Sequence, residues 1–218
     1  MQVTDSMHGR AYTLAEDVAN GVLQGIGILL SIAGLTILVA FAALRGGALV
    51  ITASAVFGAA LIVLYTVSTV YHAIPSRVAP AFLARLDHIA IFVLIAGTYT
   101  PFALLALRGA VGWWLFAAIW TLAAAGSVLE FTHLQHRRAL AVTLYLIMGW
   151  LGMITFAPLS AALGSGGTTL LLAGGAAYTL GVPFYLWRQL PFHCVLWHAF
   201  VLAGSVLHFF AILLYVVD

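Results

Sequence analysis

The chain has 218 residues, 64% of them hydrophobic and only 6% charged, against about one quarter charged in soluble domains. That composition excludes water as the solvent for most of the surface. Eight arginines, no lysine and six acidic residues give a formal charge of +2, scattered singly between apolar runs, which argues against a nucleic-acid partner; the single cysteine, Cys194, excludes an internal disulfide.

The segment from Met1 to Asp17 carries Asp5, Glu16 and Asp17 with one arginine, and the apolar run after it is far longer than a signal-peptide core. It reads as a retained first helix. Apolar runs follow at about 18–43, 47–72, 88–107, 112–132, 139–158, 167–187 and 195–217, each near the roughly 20 residues that cross a bilayer. The pattern predicts an all-α membrane protein: a cytoplasmic N-terminal segment, 1–17, and a single seven-transmembrane-helix domain over 18–218. Arg10, Arg77, Arg85, Arg137, Arg138 and Arg188 fall on one side of a seven-span chain, and Arg45 and Arg108 on the other. By the positive-inside rule the N-terminus is cytoplasmic and the C-terminus outside. Trp113, Trp114 and Trp187 lie at predicted helix ends, where indoles anchor at the interface.

In that topology the second span ends near His72, the third begins near Asp87, and the seventh begins near His193, Cys194 and His198, all at one membrane depth. Ser68 and His72 are four residues apart and share a helix face; a structural hydrogen bond at a helix end is the plainer reading of that pair alone. Asp87 at the hydrocarbon edge needs a partner. Arg85 or interfacial water would serve, as would a metal-bound water that Asp87 orients or, as general base, deprotonates. Cys194 and His198, also four apart, are separated by about 40° around a helix, whereas His193 and His198 are separated by about 140°. Pro191 permits an irregular first turn that would let His193 join. Two ligands from the seventh span plus His72 make three, with a fourth position open, as in catalytic zinc sites. Thiolate and imidazole donors favour zinc over magnesium or calcium.

His208, about 15 Å further along the seventh helix, is expected to be a buried, hydrogen-bonded histidine outside the site. Glu130, beside His133, His136 and the Arg137-Arg138 pair, reads as part of a solvated interfacial charge cluster.

Ser68-x-x-x-His72, Leu86-Asp87-His88 with Ala96-Gly97-Thr98-Tyr99-Thr100-Pro101, and Trp197-His198-x-Phe200-Val201 followed by Gly204-Ser205-x-x-His208-Phe209 occur in this order. Together they resemble the hemolysin III family, the bacterial branch of the progestin and adipoQ receptor superfamily. The resemblance implies seven helices, a cytoplasmic N-terminus, and zinc held by histidines matching His72 and His198, with Asp87 as the acidic residue and Ser68 as the serine. Two positions depart from the pattern. Cys194 stands where the family usually has histidine, with a histidine displaced to His193, so either Cys194 or His193 completes the ligand set or the site has lost metal affinity. Gln24 stands where the family often has histidine after Glu16-x-x-x-Asn20.

The function that this resemblance implies is zinc-dependent hydrolysis of a lipid amide or ester, as in ceramidases of this fold, with Asp87 and Ser68 catalytic and a bacterial inner membrane as the location. The competing reading is a non-enzymatic regulator or sensor of membrane state with structural zinc. A pore-former ranks behind both.

Overall fold

The computed structural model describes residues 13–74, 80–132 and 138–217. Among them the regular structure is entirely helical, as hydrocarbon demands, because a helix satisfies its own backbone hydrogen bonds. The helices are α1 (Leu14–Arg45), α2 (Ala48–Ala73), α3 (Ala81–Pro101), α4 (Gly109–Leu129), α5 (Arg138–Trp150), α6 (Phe156–Leu186) and α7 (His193–Ile212). Wider turns of π-helix, Phe102–Leu107 and Leu213–Val217, extend α3 and α7, and a 3-10 turn, Leu151–Thr155, joins α5 to α6.

Among the described residues, six segments are long and apolar enough to cross a membrane: 14–45, 48–73, 81–107, 109–129, 139–186 and 193–217. The sequence predicts two spans where the fifth segment runs 48 residues. That segment is interrupted at Gly164, whose φ of 64° and ψ of −175° are not helical and lie where only glycine is at ease. The third helix starts at Ala81, earlier than the expected 88. Arg85 and Asp87 lower the local hydropathy without ending the helix.

α1 begins with a capping box, Thr13 Oγ1 accepting from the Glu16 N–H while Glu16 accepts from the Thr13 N–H. Its buried residues, Glu16, Asn20, Gln24, Gly27, Ser31, Gly34, Leu38 and Ala42, recur every three or four positions. They form one inward seam, against which α2 and α7 lie. Gly27 takes the ring of Tyr65 and Gly34 that of Phe209, the close approach that small residues permit between membrane helices. The main core joins Phe57, Leu61, Leu64 and Tyr65 of α2 to Leu94, Val201 and Ile212. Leu29, Leu44 and Ile154 are at least 70% exposed, an outer surface suited to lipid chains. Trp113, Trp114 and Trp187 are exposed at helix ends.

Candidate metal centre

Ser68 and His72 occupy the last two turns of α2, and Asp87 and His88 lie near the start of α3. α7 opens directly after Phe192, which sits in the left-handed region with φ 58°, so Cys194 and His198 lie one full turn apart on regular helix. The structure converges three of the residues that the sequence singles out. Cys194 Sγ is 3.8 Å from His72 Nε2 and 3.6 Å from His198 Nδ1. One ligand atom from each of His72, Cys194 and His198 can be chosen so that all lie within 4.8 Å of one another. The two imidazole rings meet nearly edge to face, 5.2 Å between centroids.

Tetrahedral zinc, with bonds near 2.3 Å to sulfur and 2.0 Å to nitrogen, separates those atoms by roughly 3.6 Å. The donor set of one thiol and two imidazoles, with one ligand atom of each within 4.8 Å of the others, fits such an ion. His193 lies outside the group. Its Nδ1 is 3.3 Å from the Phe184 carbonyl of α6, which can only accept, so the ring donates there. Within the close-set group the third donor is Cys194.

A cavity of about 180 Å³ opens beside the trio, and Ser68, Asp87, His88, Tyr178, Tyr185, Trp197 and His208 all contribute to its wall. Asp87 is half-buried and faces this space without joining the close-set trio. Arg85, its simplest expected partner, instead places its guanidinium 5.7 Å from the ring centre of Phe131. His208 is buried, with Nε2 3.1 Å from the Leu171 carbonyl, the structural role expected of it.

Glu130 corrects the sequence reading. It is 4% exposed rather than solvated, and its carboxylate lies 3.1 Å from His88 Nδ1. Tyr185 Oη lies 3.4 Å from the other nitrogen of His88, and Tyr145 donates to the His88 carbonyl at 3.2 Å. The rest of the expected cluster, His133, His136 and Arg137 with the Arg138 side chain, lies outside the described residues, as do Arg10 and Arg77.

Sequence reasoning also left α1 out of the site. Asn20 Oδ1 lies 2.7 Å from His198 Nδ1, and Gln24 Nε2 donates to Ser68 Oγ at 2.6 Å. The signal was the four-residue spacing of Glu16, Asn20 and Gln24 in an apolar helix, since polar groups there are costly unless they serve a purpose.

Comparison with known proteins gives the family of the chain. The family model described as Haemolysin-III related matches residues 12–209. The chain belongs to the haemolysin-III-related family. Among relatives of this haemolysin-III-related protein, the "Hemolysin-3 homolog" of Bacillus subtilis (strain 168) is 43% identical over 206 residues, 94% of this chain and 97% of the relative. "Hemolysin-3" of Bacillus cereus is 42% identical over 214 residues, 98% of each chain. The human "Monocyte to macrophage differentiation factor" is 28% identical over 163 residues, 72% of this chain and 67% of that protein. The family resemblance carried by the motifs is thus borne out, and the protein is a multi-pass membrane protein of that family.

Proposed function

We propose that this protein is a zinc-dependent hydrolase of a lipid amide or ester, with His72, His198 and Cys194 as ligands. The observation that carries the reading is the convergence of two imidazoles and a thiol within 4.8 Å on the wall of a cavity that also presents Asp87 and Ser68. A bound zinc ion supplies a Lewis acid that polarises a carbonyl and lowers the pKa of water. Asp87 faces the same space and takes the proton that the attacking water gives up. Ser68 accepts from Gln24, so its own hydroxyl hydrogen remains to be given to an oxygen gaining negative charge. The exposed apolar exterior brings lipid substrates within the plane of the membrane.

We read the chain as one domain of seven crossings with the N-terminus cytoplasmic, in a bacterial inner membrane. The 48-residue segment would be about 72 Å long as one helix, more than twice the hydrocarbon thickness, and Gly164 divides it. The trio also joins α2 to α7, which favours a second reading in which zinc only ties helices together in a regulator. A pore is disfavoured. Deeper hydroxyls such as Thr98, Thr100 and Ser205 bond to carbonyls of their own helices, leaving them little polarity to offer a lumen.

The deciding experiment measures zinc in detergent-purified protein by elemental analysis, then incubates the loaded protein with N-acyl and O-acyl lipids with and without chelator. About one zinc per chain and chelator-sensitive release of fatty acid support the hydrolase. Zinc without turnover leaves the structural tie; no zinc removes both readings.

A further inference from the structure

His198 offers a metal either of two nitrogens, and its surroundings distinguish them. Nδ1 faces the Cys194 sulfur at 3.6 Å and Asn20 Oδ1 at 2.7 Å; Nε2 faces Ser68 Oγ at 3.4 Å. A side-chain carbonyl oxygen only accepts, so Nδ1 carries the proton of the neutral ring. The lone pair is then on Nε2. With no metal bound, the Ser68 hydroxyl, which accepts from Gln24, is placed to donate to it; a zinc ion on Nε2 would take that lone pair and free the hydroxyl hydrogen. The hydrogen bonds run in one consistent direction, from Gln24 through Ser68 and His198 to Asn20.

Asn20 is the middle member of a buried polar stripe on α1. Glu16, Asn20 and Gln24 are 3%, 4% and 1% exposed, and each reaches a different part of the centre. Glu16 Oε1 accepts the Phe192 N–H at 2.7 Å, holding the left-handed residue from which α7 and its Cys194 start. Gln24 holds Ser68, and between them Asn20 holds the imidazole. Metal-ligating histidines characteristically give their second N–H to such an oxygen, which fixes both ring orientation and the coordinating atom.

We propose that Asn20 is a positioning residue of the metal centre, its side-chain oxygen holding the Nδ1 proton of His198 and directing coordination through Nε2. The proposal rests on the zinc reading above. Without the Asn20 oxygen, Nδ1 is released toward the thiol and becomes an alternative ligand.

The test uses zinc alone as the probe on full-length protein in detergent, with histidines labelled with carbon-13 and nitrogen-15. In zinc-loaded wild type, the His198 resonances should show a metal-bound Nε2 and a protonated Nδ1. Asn20→Leu, which keeps the volume and removes the acceptor, should weaken zinc binding about 10- to 100-fold in competition with a chelator. Asn20→Asp, which keeps an acceptor oxygen, should stay close to wild type. Coordination of wild-type His198 through Nδ1, or unchanged affinity in Asn20→Leu, overturns the proposal while the zinc site stands. Wild type that takes up no zinc overturns both, a result separate from either. Should Asn20→Leu fail to fold, the wild-type spectrum decides alone.

Discussion

Two histidine clusters contribute to the same cavity, and they are wired differently. Around His72, Cys194 and His198, donor atoms from α2 and α7 converge within 4.8 Å of one another. Around His88 they form a line: the Glu130 carboxylate on Nδ1 at 3.1 Å and the Tyr185 hydroxyl on Nε2 at 3.4 Å. Convergence suits an ion, because several lone pairs address one point. A line suits hydrogen bonding or proton movement, because each group is occupied by the next. Histidine count alone therefore says little about a metal site; the direction of the lone pairs decides.

That contrast breaks most sharply at the convergent cluster. His72→Ala and His198→Ala should each abolish stoichiometric zinc, read by elemental analysis after gel filtration. His88→Ala should leave the zinc content intact; parallel loss would show that the two clusters form one site. Next in size, Cys194→Ala should weaken zinc binding by tenfold or more, about 1.4 kcal/mol or above, and Cys194→His should recover it. His193→Ala should retain zinc, since His193 lies outside the close-set trio. A reversed order in chelator competition would move the third ligand to His193.

At the linear cluster, Glu130→Ala should lower stability by about 1–3 kcal/mol by stripping a buried partner from His88, with zinc stoichiometry unchanged. Thermal unfolding in detergent, followed by circular dichroism, reads the loss. A loss of similar size concerns packing below both clusters. Gly174 lies against the ring of His208, where any Cβ would collide. Gly174→Ala should cost about 1–3 kcal/mol through overpacking while leaving zinc affinity in place.

Much of the convergent cluster is legible in the sequence, because its geometry is local. Cys194 and His198 share a face by their four-residue spacing, and apolar run lengths bring the ends of α2 and α7 to one depth. The line through His88 is not legible in that way. Glu130 ends an apolar run, and hydropathy treats a charge there as solvated; only the packing of α3 and neighbouring helices buries it. The α1 stripe is an intermediate case. Its spacing is visible, yet its partners lie 44 to 178 positions away, so a one-dimensional reading sees three costly polar residues without their purpose. Segment ends follow the same logic. A charge such as Asp87 truncates an apolar window without breaking a helix, whereas Gly164 breaks the chain direction inside a window that stays apolar.

The elements that build the convergent cluster lie at opposite ends of the chain: Asn20 and Gln24 in the first helix, Ser68 and His72 in the second, Cys194 and His198 in the last. During synthesis the early helices emerge first, so the nascent protein carries half of this cluster through nearly the whole of translation. The other half arrives only when α7 docks into the groove of α1 and α2. On the zinc reading proposed above, metal acquisition is thereby a late event in biogenesis, and a chain that stalls before its final helix inserts lacks the sulfur and one imidazole of the cluster.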